Sequence, residues 1–346
     1  MIKWNVSKKC YLPGIKEQRA ITQTIYFREA SEKIINIMKI SSIIVTFNAS
    51  RWIDKCFGSL LNSSVPLHII AIDNGSTDGT PDILRNNYPL TEIIETGQNL
   101  GFSKANNIGL KIILSKDFDF VFLLNQDAWI EKNTIRKLLD IFINYPDAGI
   151  VSPMHLNGNR TGFDYLFSGY LSTKNTPGII YDLYLNNLKE CYKTNFVNAA
   201  AWLISTKCIE KVGVFDTSLF CHYGEDDNYC NRVRYHNLSI YLATGTTICH
   251  DRENRNNSRS IIFEKQNARL YQKIYYSNPF LDDQVIDNQI TLLRKNYING
   301  TLKYFLGLNF IYLQKYRKQM REDLELFRAI RKSRALYQDN PCKWLI

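Results

Sequence analysis

The decamer FVFLLNQDAW, residues 120–129, decides how the chain is read. Phe120 to Leu124 form an unbroken apolar run, the length and composition of a strand buried on both faces. The run stops at Asn125, Gln126 and Asp127, and apolar character returns at Trp129. Amides and a carboxylate beside a buried strand cost free energy unless they find partners there. The strand end is therefore the first place to look for a site.

Outward from this stretch, apolar β-branched runs alternate with helical spacing. ISSIIVTF (40–47), LHIIAID (67–73), TEIIE (91–95) and AGIVSP (148–153) read as strands. RWIDKCFGSLLN (51–62), FSKANNIGLKIILSK (102–116) and IRKLLDIFINY (135–145) place apolar residues at helical intervals. Thr80 with Pro81 reads as a helix start, the threonine capping and the proline first in the helix. This alternation predicts an α/β fold with a doubly wound, mainly parallel, Rossmann-like sheet. Ligands of such sheets sit outside the carboxyl ends of the strands. The polar residues at those ends are Asn48, then Asp73, Asn74, Gly75 and Ser76, then Asn125, Gln126 and Asp127, all on one edge.

MKISSIIVTFN (38–48) has the look of a fresh beginning, so residues 1–37 read either as an N-terminal extension outside the core or as an over-long start upstream of a real start at Met38. The main domain spans 38–255, with a loop-rich insert at about 155–195, and 256–346 form a helical, basic C-terminal region. With 346 residues, 45% hydrophobic and 22% charged, the chain has ordinary globular composition. Its formal charge of +10 fits either a solvated basic face or attraction to an anionic partner. The eight cysteines form no C-x-x-C pair and read as reduced core thiols. No signal peptide and no spanning apolar segment is visible, which predicts a cytoplasmic protein. LKYFLGLNFIYLQKYRKQMR (302–321) is aromatic-rich, then basic; it reads as a helix packed on the main domain or as an amphipathic helix on a membrane surface.

The chain lacks G-x-G-x-x-G after the first strand, G-x-x-x-x-G-K-[ST] and G-x-S-x-G, which disfavours dehydrogenases, P-loop NTPases and serine hydrolases. What it offers is carboxylates. Asp73 suits hydrogen bonding to a base or ribose hydroxyl. Asp127 suits a divalent metal whose shell is completed by phosphate oxygens, so Asn125-Gln126-Asp127 reads as a D-x-D variant with an amide in first place. In GEDDNYCNRV (224–233), Glu225, Asp226 and Asp227 stand where a helix would begin. The helix dipole alone accounts for acids there, and a general base is the functional alternative. LSIYLATGTTICHD (238–251) reads as a strand ending at His250, a candidate metal or diphosphate ligand.

Taken in order, VTFN (45–48), DNGSTDGT (73–80), NLGFSKANNIGL (99–110), LLNQDAWI (123–130), NAAAWLIS (198–205), VGVFDTSLF (212–220), YGEDDNYCNRV (223–233) and CHDRE (249–253) resemble the family 2 glycosyltransferases of the GT-A fold, and among them rhamnosyltransferase-like bacterial members. The resemblance covers about residues 39–255. It implies inverting sugar transfer from a nucleotide-diphosphate donor to a glycan or lipid-linked hydroxyl in surface polysaccharide synthesis, with Mg²⁺ or Mn²⁺. Asn48, Asp73, Asn74, Ser76, Asn99, Gly101, Asn106, Asn125 and Gln126 would line the nucleotide-sugar pocket. Asp127 and His250 would hold the metal. Asp226 would be the base, with Glu225 beside it. Asn198, Ala199 and Trp202 would face the acceptor. The chain departs from the pattern at Asn125, where a full D-x-D has an acid, and at Asn228.

Two other readings compete. A sugar nucleotidylyltransferase would need a Gly-rich basic loop after the first strand, where this chain has FNASRW. A non-catalytic protein binding nucleotide, nucleic acid or a membrane surface would draw on the basic C-terminal region. The enzyme reading expects no nucleic-acid partner. It places the chain in the cytoplasm, at the inner face of an anionic membrane, and leaves room for a homodimer.

Overall fold

The first strand, β1 (Ile40–Thr46), lies between two parallel neighbours, β2 (His68–Asp73) and β4 (Phe120–Leu124). β3 (Glu92–Glu95) extends the parallel set beyond β2. Side chains of all five β4 residues are buried, as their unbroken apolar run requires, each contributing about 1.5–3 kcal/mol on burial. The remaining strands are β5 (Ala128–Ile130), β6 (Ala148–Asn157), β7 (Cys191–Thr194), β8 (Ala201–Ser205) and β9 (Ser239–His250). The nine-stranded sheet runs β3-β2-β1-β4-β8-β6-β9-β5, with β7 also on β9. β8 enters antiparallel to both β4 and β6, so the sheet is mixed. The α/β expectation holds, with helices between the strands of the parallel set.

In this computed structural model the described residues are 32–220, 222–254 and 263–339. A boundary after Met38 divides the chain into two compact units. In the first, the described part is a short helix at 32–37, so most of the expected extension lies outside the described residues. The second, 39–346, contains the sheet and the C-terminal helices alike.

Several elements differ from their sequence reading for physical reasons. β6 continues to Asn157 rather than stopping near Pro153, because it pairs with β9 along its length; the register shifts between Pro153 and Met154, where proline has no N–H to give. The helix Thr80–Asn87 is preceded by Gly79 at φ +82, and Thr80 is its first residue rather than its cap. Asp78 accepts the Thr80 N–H instead, while the Thr80 hydroxyl receives the N–H of Ala49. FDTSLF (215–220), to which the sequence assigned no element, folds as a tight turn. Asp216 Oδ1 accepts from the backbone N–H of Ser218 and Leu219, a bonding pattern open to any Asp at a turn. The insert carries two short helices, Phe167–Tyr170 and Ile179–Tyr184, and β7.

The C-terminal helices Phe263–Ser277, Asp283–Leu306 and Phe310–Asp339 build a second core of Ile286, Ile290, Phe327 and Ile330 around Leu219 and Phe220. They also brace the helix Glu225–Tyr235. Asn228 donates to Ser277 Oγ, and the fully buried Arg232 lies over the ring of Tyr337. Arg232 donates to the carbonyls of Val212 and Val214 at 3.0 and 2.6 Å. Replacing Arg232 with methionine keeps the aliphatic volume but strands both carbonyls in the core. The expected loss is about 2–3 kcal/mol of unfolding free energy, read from the midpoint of urea denaturation; an unchanged midpoint would show that the guanidinium does not hold this helix.

Candidate active site

At the carboxyl edge of the parallel strands, the loop after β2 folds around Asp73. Its carboxylate, 2% exposed, accepts from Thr46 Oγ1, Ser76 N–H and Ser76 Oγ. Asn48 follows β1 in the left-handed region at φ +49, where Asn is among the tolerated side chains, and its Oδ1 accepts from Thr77 N–H at 2.8 Å. Gly75 at φ +83 lets the loop pass Gln98; a β-carbon there would stand 2.9 Å from the Gln98 backbone. Asn74 donates to Asn99 Oδ1 and accepts from Leu100 N–H, which ties this loop to the one after β3 and to Gly101 at φ +84. Asp73, Asn74, Ser76, Asn99 and Gly101 thus form one hydrogen-bonded cradle beside Asn48. Asn106 is the exception. Its amide turns back to the Phe102 carbonyl within its own helix.

The Asn-Gln-Asp segment after β4 divides its labour. Gln126 pairs its amide with the backbone of Phe47, accepting at 2.6 Å and donating at 3.2 Å. It behaves as a rung joining the ends of β1 and β4. Asn125 receives backbone support from Ala200 and brings Nδ2 within 3.3 Å of His250 Nε2. Asp127, 1% exposed, brings Oδ1 within 3.4 Å of the same nitrogen. β9 supplies this meeting, because β5 pairs antiparallel with its end and sets Ala128 opposite His250.

One residue of this site carries no sequence signal of its own. Asp164, in the insert, places Oδ2 3.3 Å from His250 Nδ1 and 2.7 Å from Arg252 Nε, while its Oδ1 accepts the N–H groups of Leu166 and Phe167. Burial alone would raise the Asp164 carboxyl. The hydrogen bond from His250 and the Arg252 charge outweigh it and hold the group well below the usual carboxylate range. A carboxylate on Nδ1 fixes the imidazole tautomer and leaves the Nε2 lone pair for a ligand. Only the fold brings Asp164 to His250, 86 positions later in the chain.

Across the site stands the acidic trio at the start of the helix Glu225–Tyr235, with Gly224 at φ +84 before it. Burial, then the charge of Asp226, pushes Glu225 up to about 8, and the same causes push Asp227 up to about 7. Asp226 is raised by burial, opposed by the N–H groups of Asp227, Asp226 and Ala199 and by the charge of Arg252. Arg252 therefore acts on Asp164 and Asp226 together, joining the His250 side of the site to the acidic side. Tyr170 of the insert feels Asp226 as well; burial and then that charge raise its phenol. Beside Ala199, the buried Asn198 has neither amide atom partnered among the described residues, and Glu225 Oε2 is likewise unpartnered. Trp202 lies elsewhere. It is fully buried, stacked on Phe215 and tilted against Tyr229, and its contribution is packing behind β8.

The donor set fits a divalent cation shared with a phosphate-bearing ligand. Asp127 Oδ1 and His250 Nε2 converge to 3.4 Å, and Mg²⁺ commonly takes one or two protein ligands and completes its octahedron from phosphate and water. Among the described residues, no three His, Cys, Asp or Glu side chains form an all-protein cage.

The chain is similar to several known proteins. Over 121 residues the chain is 31% identical to the N-acetylglucosaminyl-diphospho-decaprenol L-rhamnosyltransferase of Mycobacterium tuberculosis, a match over 32% of this chain and 39% of that protein. It is 22% identical over 261 residues to the dTDP-rhamnosyl transferase RfbF of Shigella flexneri, covering 75% and 81%. Two solved structures share its fold: GalNAc-T7 with UDP, GalNAc and Mn²⁺ (TM-score 0.53, 14% identity, 70% of this chain and 51% of that one) and S. aureus TarS 1–349 with UDP-GlcNAc (0.51, 14%, 89% and 88%). Both are glycosyltransferases of the GT-A architecture. The glycosyl transferase family 2 model matches residues 41–213, from β1 through the helix that follows β8, and with the strand-edge loops folded as described the chain belongs to that family.

Proposed function

We propose that the chain is an inverting glycosyltransferase that moves a sugar, rhamnose from dTDP-rhamnose or a hexose from a UDP-sugar, to a hydroxyl of a glycan or lipid-linked acceptor in surface polysaccharide synthesis. The observation that carries this reading is one site with two groups: Asp127 and His250, 3.4 Å apart at the strand edge, and the acidic trio with raised proton affinity, coupled to them through Arg252. The names of the rhamnosyltransferase relatives support the donor assignment.

In the reaction, Asp226 takes the proton of the acceptor hydroxyl as its oxygen bonds to the anomeric carbon. The bond from that carbon to the diphosphate breaks on the opposite face, and its electron pair leaves with the diphosphate. A base whose affinity for protons is raised by burial lies nearer working pH than an exposed carboxylate. A divalent cation held by Asp127 and His250 would neutralise the departing diphosphate. Asn125 stands beside His250 to orient the donor, and the loop cradle around Asp73 receives the nucleoside. Asn198 and Ala199 offer the acceptor side an unpartnered amide and an apolar wall.

Exchange of Asp226 for asparagine is expected to lower turnover by roughly a hundredfold to ten thousandfold with donor binding kept. The measurement is product formation with dTDP-rhamnose and UDP-sugars on a lipid-linked acceptor. Near-normal turnover would remove Asp226 from the role.

The trio also sets a pH dependence of stability. Glu225 and Asp227 ordinarily titrate at 4.5 and 3.8, and in the folded chain at about 8 and about 7. The folded chain therefore holds more protons than the unfolded one between those values, and stability falls as pH rises through that window. The melting temperature is expected to decline from about pH 5 to about pH 9, and Glu225→Gln to flatten the decline, melting at least about 2 °C above the parent at the alkaline end. Identical profiles would mean that Glu225 is not held protonated.

A further inference from the structure

The far end of the C-terminal helical hairpin carries nothing the sugar-transfer site uses. The helices Asp283–Leu306 and Phe310–Asp339 are joined at Gly307–Asn309. Their base is anchored at Ile290 and Phe327. From Ile290 to Leu306 the rise of a helix gives about 24 Å, so the tip stands well away from that anchor. At the tip the large apolar side chains face solvent: Leu306 is 70% exposed, Leu308 75% and Ile311 70%, with Leu302, Phe305 and Phe310 all above half. Single exposed apolar residues are ordinary, but a contiguous set marks a surface that meets something. Leu308 sits at φ +51, where turn chemistry alone favours Gly or Asn.

Charge identifies the partner. Between 294 and 321 there are seven Lys or Arg and no Asp or Glu. Lys315, Lys318 and Arg321 follow Phe310 by about 7 to 16 Å of helix, set back from the apolar tip. Tyr304, Tyr312 and Tyr316 cluster along the tip end of the hairpin, from the apolar residues to the level of Lys315, with ring centroids 6.3 and 5.4 Å from Tyr304. Apolar tip, tyrosine layer and basic collar match the order of acyl boundary, interface and anionic headgroups met on entering a lipid leaflet. A protein groove would not require that depth order. No helix of the described residues is long and apolar enough to cross a membrane.

We propose that this hairpin tip docks the protein on an anionic lipid surface, Leu306, Leu308, Phe310 and Ile311 entering the acyl boundary and Lys315, Lys318 and Arg321 meeting the headgroups. The contact is independent of sugar transfer, so its test does not depend on that activity.

The full chain is sedimented with phosphatidylcholine–phosphatidylglycerol vesicles and with pure phosphatidylcholine vesicles. Binding is expected to the anionic vesicles, weakening as salt rises. A Lys315→Gln, Lys318→Gln, Arg321→Gln variant should bind roughly a hundredfold more weakly. A Leu306→Ser, Leu308→Gly, Ile311→Ser variant should lose at least about tenfold. Hydrogen exchange on the unaltered chain gives a measure free of folding effects, with protection over 302–313 appearing only with anionic vesicles. Absence of binding at low salt, no new protection at the tip, or a solution dimer that the tip variant dissolves would overturn the proposal, the last by assigning the tip to a second copy.

Discussion

One imidazole holds the site together. His250 ends a long strand: Asp164, 3.3 Å from Nδ1, orients the ring, and Asp127 stands 3.4 Å from Nε2 on the other side. For these to meet, β9 must reach the carboxyl edge where β4 stops, and the pairing of β5 with the end of β9 brings it there. The insert must fold back over the same edge to deliver Asp164. Buried charge is tolerated only where it is paired, and here the pairing spans three distant parts of the chain.

The C-terminal helices serve the opposite side. The acidic trio crowds three carboxyls into one helix start. Arg232, bonded to the Val212 and Val214 carbonyls and covered by Tyr337, and Asn228, bonded to Ser277, hold that helix in place. The crowding then appears as raised proton affinity instead of disorder. The position marked in the sequence as a departure, Asn228, has a structural use here, since a carboxylate could not donate to Ser277 Oγ.

Much of this was legible beforehand because strand-to-helix alternation in the parallel half is written in short-range periodicity. The buried run of β4, the loops at Asp73 and Asp127, the helix start at Glu225 and the strand ending at His250 all follow from local pattern. What escaped depends on partners far along the chain. Nothing near GFDYLF distinguishes Asp164 from a turn residue, and its importance comes from His250 and Arg252. Trp202 looked suited to face an acceptor, but it is fully buried and its ring packs on Phe215 and Tyr229. Gln126 and Asn106 have amides whose targets are backbone groups, which composition cannot reveal. β6 ran on past its proline because pairing with β9 outweighed local propensity.

The central claim is that the strand edge around Asp127 and His250 receives a nucleoside diphosphate together with a divalent cation. Calorimetric titration of the chain with dTDP, UDP, GDP and ADP, each with and without Mn²⁺ or Mg²⁺, tests it directly. The account predicts that one diphosphate binds, that its binding needs the cation, and that Asp127→Ala abolishes it. Failure of every diphosphate to bind, or binding that survives Asp127→Ala unchanged, would contradict it.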